Sequence, residues 1–389
     1  APGQMGLIGS IGLIGMALGA VVSGTIADRI GRKKVFTITV LLYSIASAFC
    51  ALSWNYQSLL VFRFLVGFGL GGELPVAATL VSEYAPSRVR GRFIVLLESF
   101  WGLGWIAAAC IAYFFIPLYG WRMAFLIGAL PALYVCLIRL HMPESVRYLL
   151  AHGRVGEARQ IVVSLERQLH VPVAPFVSEK ETVPVVAKAS FRELWKKPFA
   201  SRTIMLWLVW FGINFSYYGI FMWLPSLVFQ QGFTVVKTFE YVLIMTLAQL
   251  PGYYCAAWLV DKIGRKYTLS TFLLFSGVAS YFFGHASTAA TLMMWGSVMS
   301  FFNLGAWGVL YTYPTAIRAL GSGWAAGFGR FGGMAAPMMV GALLARNFGF
   351  GSVFYMFALV FVAVAVIVLS LGVESKQKDL ESISEGLVK

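Results

Sequence analysis

The sequence predicts an all-α membrane protein made of two related halves. Three observations carry that prediction. Hydrophobic residues form 59% of the 389-residue chain and charged residues 12%, against about a quarter charged in a soluble domain. The apolar residues gather into runs of span length, since crossing a bilayer takes about 20 residues of helix. Finally, GTIADRIGRKK (Gly24 to Lys34) returns in large part as AAWLVDKIGRK (Ala256 to Lys266).

In chain order the spans are expected at 5–27, 35–53, 58–80, 92–116, 121–141, 203–229, 239–260, 267–284, 290–312, 321–345 and 350–372, eleven in all. The first lacks a basic start and a cleavage site, so it reads as a span rather than a signal peptide. Cys50, Cys110, Cys136 and Cys255 all lie inside spans without metal spacing. They read as small buried apolar residues, and no metal or cofactor is expected.

The net charge of +14 points to topology rather than to nucleic acid. Of the 30 Lys and Arg, 25 fall in alternate loops, in the span ends that adjoin them or in the C-terminal tail; only Arg122, Lys237 and Arg346 fall in the opposite loops. This positive-inside bias places both GRK loops in the cytoplasm.

One stretch is polar, from about Met142 to Arg202, and VGEARQIVVSLERQL within it has the spacing of an amphipathic helix. The repeat respects this divide. Asp28 recurs as Asp261 at an offset of 233, and Pro86–Arg90 recurs as Pro314–Arg318 at 228. Two motifs in one order at nearly one offset indicate duplicated halves, an architecture of transporters whose sites lie between repeats near the midplane. Each half therefore carries a tight basic turn, at Gly31 and Gly264. Asp28 with Arg90, and Asp261 with Arg318, are candidate pairs for latching the cytoplasmic side; the plainer alternative is that these charges only fix topology.

These stretches carry a family resemblance. GTIADRIGRKK resembles the loop signature of the major facilitator superfamily. RFLVGFGLGGELPVAATLVSEYAPSRVRGR (63–92) is similar to the fourth helix and following loop of its sugar-porter-like members. MPESVRYLL (142–150) is similar to the segment opening their central loop. The likeness spans nearly the whole chain, and its feel is nearest the aromatic-acid and nicotinate proton symporters. It implies two pseudo-symmetric six-helix bundles, with this chain beginning at the second of twelve helices. The expected parts are an N-terminal bundle over 1–141, a cytoplasmic central loop over 142–202, a C-terminal bundle over 203–373 and a cytoplasmic tail over 374–389. The second half departs from the pattern at YTYPT (311–315), where Tyr311 stands in the place that Glu83 holds in the first half.

Ionisable groups inside spans cost about 2.5–3.5 kcal/mol each on insertion scales, which makes them functional candidates. Arg63, Glu73, Glu98 and Arg330 qualify. The resemblance implies that Arg63 pairs with a first-helix acid for proton coupling; otherwise it snorkels to the outer interface. Glu73 is either a proton site or a structural hydrogen-bond donor. Glu98 stands where sugar porters carry a sugar-binding glutamine. A glutamate there can titrate, bind a cation or meet a ring nitrogen, and Trp101 and Trp105 follow at i+3 and i+7 on its face. Arg330, among glycines, needs an anion, either a substrate carboxylate or a protein acid.

LVWFGINFSYYGIFMWLP is similar to the sugar-porter seventh helix. Leu208 and Val209 replace its paired glutamines, while Asn214, Tyr217 and Tyr218 remain. That loss of donors disfavours sugars. Pro225 is expected to break this helix at its outer end. Gln249, Asn303 and Trp307 complete the candidate substrate-binding set. Arg63, Glu73 and Glu98 form the proton-coupling set, and Asp28, Arg32, Glu83, Arg90, Asp261, Arg265 and Arg318 the cytoplasmic gate.

The reading is a proton-coupled symporter of a small aromatic carboxylate such as nicotinate or benzoate, acting by alternating access as a monomer in a bacterial inner membrane, with both termini cytoplasmic in the full protein. Its partners are the substrate, protons and lipid, with no nucleic acid. Sugar or polyol symport, organic-cation carriage and a non-transporting receptor are the alternatives. No catalytic constellation or nucleotide loop is present, so an enzyme is not expected.

Overall fold

A chain in lipid satisfies its backbone internally, and helices do so within one segment. The computed structural model describes residues 1–85, 90–170, 191–196, 199–307, 309 and 318–372; among them there is no strand. Helices α1 (Pro2–Ile30), α2 (Arg32–Ala51), α3 (Tyr56–Tyr84) and α4 (Arg90–Tyr119) are followed by the short α5 (Trp121–Ile127) and α6 (Pro131–His141). The polar stretch contributes α7 (Val146–Ala151) and α8 (Val155–Gln168), the latter being the expected amphipathic helix. A 3₁₀ turn at Phe191–Trp195 precedes α9 (Phe199–Gln230), α10 (Val235–Leu247), α11 (Gln249–Ile263), α12 (Arg265–Gly284), α13 (Ala289–Trp307), α14 (Arg318–Ala345) and α15 (Phe350–Leu371).

The expected spans fall on these helices, two of them as pairs: α5 with α6, and α10 with α11. Eight helical stretches among the described residues are long and apolar enough to cross a bilayer. The α12 and α13 helices, 20 and 19 residues long, reach about 30 Å at 1.5 Å per residue. The chain is thus a multi-pass membrane protein.

Local chemistry sets the ends. The Asn55 side chain accepts from Ser58 N at 2.7 Å and forms a capping box that starts α3. Gly31 and Gly264 have φ of +104° and +89°, the left-handed turn that both GRK loops require. Pro225 does not end its helix as expected. The α9 helix runs on to Gln230, because its last turns are packed: Leu224, Leu227 and Val228 are fully buried, and the Trp223 indole donates to the Pro337 carbonyl at 3.2 Å.

The helices group into two units. One comprises Ile14–Phe100 and Trp121–Lys188; the other comprises Ala1–Leu13, Trp101–Gly120 and Ala189–Lys389. In the first, α2 packs on α3, α5 and α6. In the second, α9 packs on α14 and α15, and α13 on α11 and α12. Glycines set the closest approaches, as in other membrane helix pairs. A Cβ at Gly252 would run into the Phe301 carbonyl, so α11 and α13 touch backbone to backbone there.

Gly252→Val is therefore expected to destabilise the protein by about 1–3 kcal/mol through overpacking. Gly323→Ala, with nothing within 4 Å of its Cβ among the described residues, is expected to be neutral or stabilising. Melting of the detergent-purified variants checks both signs.

Candidate functional site

The second unit builds an aromatic wall that meets a cation at Tyr218. The α9 helix presents Trp210, Asn214, Tyr217, Tyr218 and Phe221 at helical spacing. The Trp307 ring of α13 stands 5.6 Å from Tyr217 and 5.8 Å from Trp210, edge-on to both. From α4, Trp105 meets Tyr217 at 6.0 Å and Trp101 meets Tyr218 at 6.5 Å, again edge-on. Such pairs add about 0.5–1.5 kcal/mol beyond area burial and fix ring orientation.

Arg330 enters from α14, and its guanidinium stands beside the Tyr218 hydroxyl. It reaches that place because α14 lies against α9. Cβ atoms at Gly329 and Gly333 would stand 2.8 Å from Asn214 Nδ2 and from Tyr218 Cδ2, and one at Gly332 would meet the Phe211 carbonyl. Asn214 itself is tied down, donating from Nδ2 to the Trp210 carbonyl at 2.8 Å.

Several polar atoms of this region are buried without a hydrogen-bond partner among the described residues: both amide atoms of Gln249, both of Asn303, Ser300 Oγ and Trp307 Nε1. The Tyr217 hydroxyl, fully buried, faces the indoles of Trp101 and Trp105 without a well-aligned bond. Leaving such groups unpaired costs about 1–3 kcal/mol each. Sequence reasoning missed Ser300, because a serine in an apolar helix ordinarily bonds its own backbone, as Ser276 and Thr246 do here. Nine of the ten substrate-binding candidates thus lie in one unit. The tenth, Glu98, belongs to the other unit, and its side chain lies outside the described residues.

In the first unit the Arg63 guanidinium lies over the Phe125 ring at 5.8 Å, and its Nε is buried without a partner among the described residues. Glu73 sits near Tyr43 on α2. The structure does not bring Arg63 and Glu73 into a described pair.

The gate set divides. Arg32 and Glu83 approach at 3.9 Å. The Asp28, Arg90 and Arg318 side chains and all of 310–317, including Tyr311 and Pro314, lie outside the described residues. Asp261 is exposed near the end of α11, and Arg265 is half-buried at the start of α12. The first half's cluster is organised by residues sequence reasoning did not single out for the gate. Glu144 Oε1 accepts from Arg32 N at 2.9 Å, Lys33 N at 3.2 Å and Ser145 N at 2.9 Å. Ser145 Oγ donates to Glu83, and the Tyr84 hydroxyl donates to the Glu144 carbonyl at 2.6 Å. Burial, then the Glu144 and Glu83 carboxylates, push the Tyr84 hydroxyl up to about 12. Glu144 thus caps α2 from 112 residues away, with its negative charge at the positive end of the helix dipole. The signal was present in the ES of MPESVRYLL, whose contact with the distant loop is invisible in one dimension.

Residues 2–387 match the family described as Sugar (and other) transporter. The chain belongs to that family of the major facilitator superfamily. It is 58% identical to the niacin transporter NiaP of Acinetobacter baylyi, over 98% of this chain and 88% of that protein. It is 31% identical to the 4-hydroxybenzoate transporter PcaK of the same organism, over 93% and 81%. A D-xylose-proton symporter structure superposes with a TM-score of 0.75 at 19% identity, covering 97% of this chain and 90% of that one; at that identity the likeness speaks for fold alone. The chain is accordingly a membrane transporter and not an enzyme.

Glu144→Ala removes the acceptor of three backbone N–H groups and is expected to cost about 1–3 kcal/mol. Glu144→Gln, which keeps an acceptor oxygen but not the charge, is expected to recover part of the loss. The melting temperatures of the two variants check the order.

Proposed function

We propose that this chain is a proton-coupled symporter of a small aromatic carboxylate of the nicotinate type, working by alternating access in a bacterial inner membrane. The observation that carries the reading is Arg330, a cation set within a span beside Tyr218 and bordered by aromatic rings. A guanidinium in low dielectric fits an anion best, and its fork matches a carboxylate with two parallel hydrogen bonds. The rings of Tyr217, Tyr218, Trp101 and Trp307 offer flat apolar walls for an aromatic ring. The names borne by NiaP and PcaK, a niacin and a 4-hydroxybenzoate transporter, support this substrate class.

Coupling needs a group that changes charge during the cycle. Glu98, one and two turns ahead of Trp101 and Trp105, is assigned the proton, with Glu73 as a second carboxyl on the path and Arg63 as the cation that sets when they release it. The Arg32–Glu83–Glu144 cluster, with Arg90, Asp28, Asp261, Arg265 and Arg318, is assigned to closing the cytoplasmic side. In this scheme the bundles are 1–141 and 203–373, joined by the central loop 142–202, with the tail 374–389 in the cytoplasm, and the working unit is a monomer.

Proteoliposomes of the full-length protein test the scheme. An inward proton gradient is expected to drive accumulation of labelled nicotinate. Arg330→Ala is expected to weaken carboxylate binding by about 10- to 100-fold, the worth of hydrogen bonds to a charged group, while the protein stays folded. Unchanged affinity would remove Arg330 from the site. Glu98→Gln is expected to abolish gradient-driven accumulation and leave counterflow exchange; continued accumulation would take the proton away from Glu98.

A further inference from the structure

The buried polar atoms beside the aromatic wall have a pattern of their own. Met245, one turn before Gln249, packs on Gly296, one turn before Ser300. The Gly252 backbone abuts Phe301. Gln249 and Ser300 therefore lie at one level of the α11–α13 pair. Asn303 follows one turn along, on the face that carries Trp307 to Tyr217. On α4, the helix that carries Trp101 and Trp105, Gly102 faces Leu250 and Leu304. Gln249, Ser300 and Asn303 are each 0% exposed, and none of their five side-chain polar atoms has a hydrogen-bond partner among the described residues.

We propose that Gln249, Ser300 and Asn303 form a polar band that reads a hydrogen-bonding atom on the ligand ring, so that the site prefers an N-heteroaromatic carboxylate to a carbocyclic one. This rests on the aromatic-carboxylate reading above. Arg330 takes the carboxylate, which is common to both kinds of acid and cannot tell them apart. A pyridine nitrogen is an acceptor, and the band supplies the matching donors: two amide N–H₂ groups and a hydroxyl. A benzene C–H at the same place leaves those donors unpaired. Sites built to hydrogen-bond a ligand atom reject the analogue lacking it far more strongly than apolar pockets reject a methylene. The band leaves Glu98 free for the proton, because the ring atom needs a donor that does not change with the cycle.

An amide held for folding and one held for a ligand differ in what their removal does. Leucine nearly matches asparagine in shape and carries no polar atom. Replacing a buried amide that lacks partners stabilises the empty protein, whereas replacing a structural one destabilises it.

The test is competition binding of labelled nicotinate against unlabelled nicotinate and benzoate, with melting curves of the empty protein, on purified full-length wild type, Asn303→Leu and Gln249→Leu. The wild type is expected to prefer nicotinate by about 10-fold or more. Each variant is expected to bring that ratio within about threefold, while the empty protein melts at the same or a higher temperature. A ratio that survives in both variants overturns the proposal. So does a lowered melting temperature, which makes the amides structural. Equal binding of both acids by the wild type overturns the band but leaves the carboxylate site standing. Binding of neither acid by the wild type defeats the underlying reading instead.

Discussion

The approach of α14 to α9 is the constraint on which the site depends. Lipid offers no hydrophobic drive to press two helices together, so contact distance is set by what stands between them. Here almost nothing does: Gly329, Gly332 and Gly333 lay α14 directly on Asn214, Phe211 and Tyr218. That contact carries Arg330 to the Tyr218 hydroxyl and holds the Tyr217–Tyr218 pair, whose rings stand 5.7 Å apart and perpendicular, against the tryptophans of α4 and α13. Arg330 could not sit there if the helices were spaced by ordinary side chains. The glycines around a half-buried charge thus act as its positioning device.

A second principle operates at the ends of α2. Glu144 accepts from its first N–H groups, and Arg122 donates to the carbonyls of Ala51 and Ser53 at the other end, at 3.1 and 3.3 Å. An anion at the N-terminus and a cation at the C-terminus both complement the helix dipole. The charges come from opposite ends of the α5–α6 segment, which spans the unit beside α2. One of the few basic residues in the loops opposite the GRK turns is thus explained by capping rather than by topology. The repeat is formal at the turns, where Gly31 and Gly264 share a conformation.

Much of this was legible in one dimension. Composition and run length pointed to the class, because it follows from bilayer thickness, and the duplicated loops pointed to a shared tight turn, which Gly31 and Gly264 adopt. Tyr217, Tyr218, Trp307, Gln249 and Asn303 stood out as polar or aromatic residues in apolar helices. Other features depend on neighbours distant in sequence. Glu144 looked like part of a loop opening until its carboxylate met α2. Ser300 looked ordinary until its hydroxyl proved to lack the usual backbone partner. Pro225 looked like a helix end, but the packing of Leu224, Leu227 and Val228 carries α9 through it. The latch pairs Asp28–Arg90 and Asp261–Arg318 rest on sequence alone, as their side chains lie wholly or partly outside the described residues.

The most direct measurement is an experimental structure of the full-length protein with nicotinate bound. The account predicts the carboxylate about 3 Å from the Arg330 guanidinium, with the ring against Tyr217, Tyr218 and Trp307. Nicotinate bound with its carboxylate away from Arg330, or in a place not lined by these rings, would contradict it.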